Sequence, residues 1–214
     1  AISLFESGTV VIEGSCTINA HTRGISGSDR GEVDVKAGAR LSITASSDGI
    51  RMDAGTVHVD GTLDIRSRYD GIEASDGDLA LSGSGIIDVI SEMYNGIKAD
   101  GQLTSSFTGY LSVESGEDES VISASEGITF EKLPRSIKLV GEAPTSTITG
   151  FPELVDAIAA GGILDFQWSN PGASTPSYSW SYGPTIGSAI PEFWASPTPT
   201  QTEESDRADG STSQ

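Results

Sequence analysis

The chain has 214 residues, enough for one domain with a substantial core, and its 26 glycines favour a turn-rich all-β fold. Its formal net charge of −19 disfavours nucleic acid and anionic membrane surfaces as partners. The same charge favours divalent cations, or simply a well-solvated surface. No apolar stretch is long enough for a membrane-inserted helix, and the single cysteine excludes an internal disulfide.

A polar residue followed by Gly-Ile occurs five times along the chain. The glycines are Gly24, Gly49, Gly71, Gly96 and Gly127, at intervals of 25, 22, 25 and 31 residues. Two short runs of alternating apolar residues come before each of these tripeptides. A repeat of this length with internal period-two hydrophobicity predicts a stack of similar coils.

Alignment on the Gly-Ile pairs predicts three inward-facing columns of side chains. The first run contributes Val10/Ile12, Val33/Val35, Val57/Val59, Leu79/Leu81 and Leu111/Val113. The second contributes Cys16/Ile18, Leu41/Ile43, Leu63/Ile65, Ile87/Val89 and Val121, and the third contributes Ile25, Ile50, Ile72, Ile97 and Ile128. Polar residues alternate with these positions, as in strands with one buried face. The pattern predicts a right-handed parallel β-helix (a β-solenoid) of about five to six coils.

The composition divides the chain into four parts. Residues 1–150 are predicted to form the parallel β-helix, with a last partial coil at 136–140. Residues 151–167 are predicted to form a short capping helix and a following strand, because a proline opens the segment and two glycines end its apolar run. Residues 168–195 are an extended segment containing aromatic residues, and 196–214 form a Ser/Thr/Pro-rich acidic tail, disordered or O-glycosylated.

The residues before the repeated glycines are predicted to form a ladder. They are Arg23, Asp48, Asp70, Asn95 and Glu126. Carboxylates stacked about 5 Å apart repel by ~3 kcal/mol at an effective dielectric of 20, so a bridging cation would stabilise them. A second acidic row follows the Gly-Ile pairs, and both rows flank a turn rich in carbonyl oxygens, which suits Ca²⁺. The predicted calcium ligands are Asp48, Asp53, Asp70, Glu73, Asp76, Asn95 and Asp100.

Turn chemistry is the alternative explanation of these residues. Asp-Gly and Asn-Gly are common in tight turns, because Asp and Asn tolerate the left-handed backbone and hydrogen-bond within their own turn. The sequence contains neither an EF-hand pattern nor a glycine-rich calcium nonapeptide. Both interpretations therefore stay open at this point.

Enzymatic signals are weak, and the prediction is that the protein is not an enzyme. His58 lies between two valines of a predicted strand and is expected at the surface, whereas Cys16 falls in an inward column. A calcium-dependent lyase would need a basic residue beside the acidic rows, and nothing in the sequence singles one out. The basic residues near those rows are Arg51, Arg66, Arg68 and Lys98.

Three copies of the repeat carry a resemblance to a known family. They read Ser47-Asp48-Gly49-Ile50, Tyr69-Asp70-Gly71-Ile72-Glu73-Ala74 and Tyr94-Asn95-Gly96-Ile97-Lys98-Ala99-Asp100. This text, over residues 8–130, resembles bacterial carbohydrate-binding parallel β-helix proteins of pectate-lyase-like architecture, which bind calcium and acidic pectic polysaccharide without cleaving it. The resemblance implies a secreted, extracellular protein with Ca²⁺ at Asp48, Asp70, Asn95 and Asp100. Arg23 and Glu126 depart from the pattern, which confines any calcium site to the three central coils.

Two functions follow as hypotheses. The first is a non-catalytic extracellular module that binds Ca²⁺ and, through it, an acidic polysaccharide, because two polyanions need a bridging cation. The second is a structural subunit of an extracellular filament or surface layer, a homopolymer that stacks coils end to end while its tail clasps the neighbour. Candidate contacts with carbohydrate or another subunit are Arg51, Lys98, Tyr178, Trp180, Tyr182 and Trp194.

Overall fold

The protein is a parallel β-solenoid of about six turns, as the repeat predicts. The computed structural model describes residues 1–4 and 7–151, together with the backbone of 164–168 and 178–180. Each turn contributes one strand to each of three sheets, and successive turns pair in parallel. The described residues contain no helix, and so none that could cross a membrane.

Sheet A is made of short strands and has six members. They are β1 (Ile2–Leu4), β4 (Ile25–Gly27), β7 (Ile50–Met52), β10 (Ile72–Ala74), β13 (Ile97–Ala99) and β16 (Ile122–Ala124). In each strand a central polar residue faces outward between two inward apolar or small residues. The outward positions form one column of paired residues, Ser26–Arg51–Glu73–Lys98–Ser123.

Sheets B and C complete the three walls of the solenoid. Sheet B contains β2 (Gly8–Ile12), β5 (Arg30–Val35), β8 (Ala54–Val59), β11 (Leu79–Ser82), β14 (Gln102–Ser105), β17 (Gly127–Phe130) and β19 (Ile148–Thr149). Sheet C contains β3 (Ser15–Ala20), β6 (Arg40–Ala45), β9 (Thr62–Ser67), β12 (Ile86–Ser91), β15 (Tyr110–Glu114), β18 (Ser136–Val140), β20 (Leu164–Trp168) and β21 (Tyr178–Trp180). The three sheets enclose one core of stacked aliphatic side chains.

The central isoleucine column is confirmed, and its last member is corrected. Ile25, Ile50, Ile72 and Ile97 pair in sequence along sheet A. The fifth member is Ile122, not the predicted Ile128. Ile128 lies in sheet B and pairs with Leu103. The last Gly-Ile tripeptide falls one sheet later along the coil, at the start of a sheet B strand, whereas the other four lead into sheet A.

Two apolar pairs predicted for the first run also lie elsewhere. Leu111 and Val113 belong to sheet C, where they pair with Ile87 and Val89. The column predicted that Leu79 pairs with Val57. Leu79 instead pairs with Gly55, and it is Leu81 that pairs with Val57. Leu111 and Val113 are displaced because β14, which occupies their predicted place in sheet B, has a single aliphatic residue, too weak a hydrophobic signal to predict a separate run. The partial coil at 136–140 is confirmed as β18.

The C-terminal predictions are tested only in part. The predicted capping helix and the tail lie outside the described residues, as do Tyr182 and Trp194. The strand predicted after the helix is present as β20, which pairs antiparallel with β18. The backbone of Tyr178–Trp180 is extended, as the alternation predicts, and pairs with β20 of the same chain.

Candidate cation site on sheet A

The repeated glycines are required by close packing between coils. A Cβ atom at Gly71 would lie 2.1 Å from Val89 Cγ1 and 2.4 Å from the Gly96 carbonyl oxygen. Gly49 and Gly24 are equally confined by the coil that follows each of them. Each of these glycines therefore lets the chain cross from sheet C to sheet A directly against the next coil.

A left-handed backbone does not account for the aspartates before these glycines. Among the non-glycine residues described, positive φ angles occur only at Asp29 and Asp118. A left-handed backbone therefore does not explain why aspartate occurs at positions 48 and 70. The side chains of these aspartates instead contact neighbouring coils: Asp48 accepts from Arg23, and Asp70 accepts from the Asn95 backbone N–H.

Three acidic side chains converge at the edge of sheet A. Asp48, Asp70 and Glu73 each contribute one carboxylate oxygen to a group whose atoms all lie within 4.8 Å of one another. All three residues are buried, at 3%, 7% and 4% exposure. The turn between sheets C and A supplies the two aspartates, and the outer face of β10 supplies the glutamate. We call these three residues the acidic cluster.

Basic side chains surround the acidic cluster. Arg51 Nη1 lies 3.1 Å from Glu73 Oε2 and 3.7 Å from Asp48 Oδ2, and Lys98 Nζ lies 3.3 Å from Glu73 Oε1. Arg23 donates to Asp48 Oδ2 over 3.2 Å. The structure thus singles out Arg51 and Lys98 from the basic residues that the sequence left equivalent. Much of the negative charge of the cluster is neutralised by the protein itself.

Asp70 has a perturbed ionisation. Burial, reinforced by the negative charge of Glu73, raises the pKa of Asp70 to about 6. The nearby Lys98 ammonium and the Asn95 backbone N–H, which donates to Asp70 Oδ1 over 2.9 Å, oppose this shift. Asp70 therefore loses its proton at a higher pH than an ordinary aspartate does, although basic side chains lie close to it.

Glu73 is held by charge more than by directed hydrogen bonds. Its Oε2 atom is buried and makes no hydrogen bond within the described residues, although Arg51 Nη1 is 3.1 Å away. A close approach without an N–H aimed at the oxygen leaves a lone pair of Oε2 unused. That oxygen has the capacity to accept a further partner.

The other predicted acidic ligands lie outside the acidic cluster, whereas Asn95 adjoins it through its backbone N–H. Asp53 accepts a hydrogen bond from the Asp29 backbone N–H over 2.8 Å, at the turn between sheets A and B. Asp76 and Asp100 are exposed in the equivalent turns of later coils. Asn95 directs its side-chain N–H to the Ser120 carbonyl over 2.7 Å. The two predicted acidic rows therefore lie at opposite ends of the short sheet A strands.

The ladder of residues before glycine ends differently from the prediction. Its fifth position is occupied by Ser120, because Ile122 replaces Ile128 in the isoleucine column. Glu126 lies in the turn between sheets A and B and is exposed. The carbonyl groups of Asp48, Asp70 and Asn95 each accept a hydrogen bond from the glycine N–H of the preceding coil. A cation at this edge would therefore rely mainly on side-chain oxygens.

Two exposed tyrosines beside the cluster were not among the predicted contacts. Tyr69 and Tyr94 directly precede Asp70 and Asn95, and their rings pack edge to face with centroids 5.2 Å apart. They are 40% and 43% exposed, and the neighbouring Met93 is 47% exposed. Their position in the repeat, just before the Asp-Gly or Asn-Gly pair, was the available signal. Of the predicted aromatic contacts, Tyr178 and Trp180 are described only as backbone.

No family model, curated protein or solved structure matches the chain.

Proposed function

We propose that the protein is a binding module that holds Ca²⁺ at Asp48, Asp70 and Glu73, and that this site itself is non-catalytic. Through that ion it would bind an acidic polysaccharide. The observation that carries the proposal is the convergence of three buried carboxylates, one of which has a pKa raised to about 6. Placing a divalent cation among them would offset both the burial and the repulsion from Glu73 that raise this pKa.

The spacing of the carboxylates suits calcium. Two oxygens bound to one Ca²⁺ at about 2.4 Å are separated by at most about 4.8 Å, the limit within which the three oxygens lie. Ca²⁺ takes six to eight oxygen ligands, so three carboxylates would leave positions for water and for a ligand. A uronate carboxylate of a polysaccharide is a suitable oxygen donor for those positions.

The basic residues give the proposal a way to couple the ion to the polysaccharide. Ca²⁺ at Glu73 would compete with Arg51 and Lys98 for the carboxylate. Their side chains are 35% and 31% exposed, so they can turn outward when displaced. Freed guanidinium and ammonium groups would then pair with carboxylates on the polysaccharide. Tyr69 and Tyr94 would offer aromatic surface to a sugar ring beside them.

Isothermal titration tests this function directly. We expect Ca²⁺ to bind the wild-type protein, and polygalacturonate to bind only when Ca²⁺ is present and EGTA is absent. Glu73→Gln should weaken calcium binding at least tenfold, because it removes a charged ligand without changing side-chain size. Asp88→Asn, on the outer face of sheet C, is the matched control and should behave like wild type. Calcium binding that is unchanged in Glu73→Gln would exclude this site.

End-to-end assembly is a second candidate function, and one observation favours it. Within the described residues, the outer edges of β1, β2 and β3 have no partner strand. Ile2, Val10 and Cys16 are only partly buried, whereas the residues that pair with them in the next coil are fully buried. A second solenoid stacked on this edge would cover the three side chains and continue the sheets. Electron microscopy of concentrated protein would reveal filaments, and sedimentation as a monomer at every concentration would refute assembly.

A further inference from the structure

The outer face of sheet B carries a groove remote from the acidic cluster. Its volume is about 460 Å³, within the usual range for ligand sites. Hydroxyl and charged side chains from successive coils line it. They include Thr9, Arg30, Glu32, Thr56, Asp78 and Thr104. A groove with this lining suits a polyhydroxylated ligand lying along the axis of the solenoid.

A chain of hydrogen bonds lies beside this groove. Ser82 Oγ is 2.9 Å from His58 Nδ1, and His58 Nε2 is 3.0 Å from Asp60 Oδ2. The other Asp60 oxygen accepts from both the backbone N–H and the hydroxyl of Ser84, each over 3.0 Å. The serine, the imidazole and the carboxylate therefore form a continuous relay whose acidic end is anchored.

Strand register brings the relay together. His58 and Ser82 are direct partners in the parallel pairing of β8 with β11, so both side chains leave the same face of sheet B. Thr56 and Ala80, which line the groove, lie two residues earlier on the same two strands. Since side chains alternate between faces, Thr56 and His58 point to the same side. The relay therefore borders the groove.

The carboxylate orients the imidazole for proton transfer. Asp60 accepts from Nε2–H of His58, which leaves the Nδ1 lone pair directed at the Ser82 hydroxyl. Hydrogen bonds from His58 and Ser84 lower the pKa of Asp60, so it stays ionised beside the ring. Asp34 pairs with His58 from the preceding coil and is itself ion-paired with Lys36. The Asp60 carboxylate thus bonds the imidazole that would become positively charged, and Asp34 lies beside it on the neighbouring strand.

We propose that Ser82, His58 and Asp60 form an esterase site, with Ser82 as the nucleophile. Ser82 Oγ attacks the ester carbonyl carbon while its proton passes to His58 Nδ1. The tetrahedral intermediate expels the alcohol, which leaves with that proton, and the acyl group remains on Ser82. Water then attacks the acyl carbon and gives a proton to His58. The bond from the acyl carbon to Ser82 Oγ breaks, His58 passes that proton to Oγ, and the carboxylic acid leaves with the Ser82 hydroxyl restored. The substrate class is a carboxylic ester carried on a polyhydroxylated molecule.

This activity goes beyond the proposed cation-dependent binding and does not depend on it. The acidic cluster lies on sheet A and its adjoining turn, whereas the relay lies on sheet B. Esterase activity therefore should persist in EGTA and in Glu73→Gln. Loss of calcium binding and loss of esterase activity are separable results.

Labelling with a fluorophosphonate probe, followed by peptide mass spectrometry, tests the nucleophile. We expect the label on Ser82, none in Ser82→Ala, and labelling reduced about 100-fold or more in His58→Gln. Ser112→Ala, on the outer face of sheet C, is the matched control and should label like wild type. Hydrolysis of p-nitrophenyl acetate should follow the same order, with circular dichroism showing that each variant folds. Absence of label on wild-type Ser82, or equal labelling of His58→Gln, would overturn the proposal.

Discussion

Arg51 and Glu73 form an ion pair between adjacent coils, with Nη1 and Oε2 3.1 Å apart on the outer face of sheet A. The register of β7 with β10 places the two residues side by side. On the other side of Glu73, Lys98 completes a basic–acidic–basic row. The buried carboxylate thus has a cation on each side, and its loss would leave both cations without their main partner.

Coupling between Arg51 and Glu73 should be measurable in a double-mutant cycle. Replacing Glu73 with Gln should lower the free energy of unfolding by about 1–2 kcal/mol without calcium, because the two basic groups are partly solvated. The coupling energy with Arg51→Gln should be roughly 1 kcal/mol by urea unfolding. The cycle for Arg66 and Asp88, whose charged atoms are 3.9 Å apart and exposed, should give a value near zero. Equal couplings in both cycles would contradict this account.

Asp70 should make stability depend on pH in an unusual direction. Its folded-state pKa of about 6 lies above the ordinary value of 3.8, so the folded protein keeps a proton that the unfolded chain has released. Its contribution is full below about pH 4 and is lost as pH rises through 6. Relative to Asp70→Asn, the wild type should lose up to about 3 kcal/mol of stability between pH 4 and 7.

Urea unfolding of both proteins at a series of pH values measures this difference. Asp70→Asn is a close steric match whose side-chain oxygen still accepts from the Asn95 N–H, so packing is preserved. A stability difference that does not change with pH would contradict the raised pKa. If calcium binds as proposed, saturating Ca²⁺ should remove the difference in slope, because the ion would favour the ionised carboxylate.

The exposed tyrosine pair should contribute to polysaccharide binding. Tyr94→Ala should weaken polygalacturonate binding about fivefold to twentyfold in the presence of calcium, through loss of aromatic contact area. Calcium affinity should stay unchanged, because Tyr94 supplies no ligand oxygen to the cluster. Tyr110→Ala on sheet C serves as the control and should bind the polysaccharide like wild type. A parallel loss in both variants would indicate non-specific contact.

The repeated glycines should be intolerant of alanine for steric reasons. Gly71→Ala would place a methyl group against Val89 and the Gly96 carbonyl, at a cost of roughly 3 kcal/mol or more. Gly14→Ala has no neighbouring atom within 4 Å of the new methyl group and should leave stability within about 0.5 kcal/mol of wild type. Thermal and urea unfolding compare the two variants. A tolerated Gly71→Ala would mean that the coils are packed more loosely than described.

The sequence alone was sufficient for the parallel β-solenoid. A column such as Ile25–Ile50–Ile72–Ile97 repeats at short intervals, and each member is followed by alternating buried positions. The prediction from the sequence was wrong where the hydrophobic pattern weakened, at Leu103–Ser105 and at the displaced Gly-Ile of residues 127–128. One aliphatic residue is not enough to predict a strand. Moving a Gly-Ile pair from the start of a sheet A strand to the start of a sheet B strand does not change the local pattern.

For the candidate sites, the sequence identified Asp48, Asp70, Glu73, Arg51 and Lys98 but not their arrangement. Pairing between coils decided that Glu73 lies between Arg51 and Lys98, and that Asp53, Asp76 and Asp100 lie elsewhere. The same pairing set His58 beside Ser82, two residues that lie far apart in sequence and share no local motif. Local periodicity determines which residues face outward. Only the stacking of coils determines which outward residues meet, because contact across coils depends on the length of every turn between them.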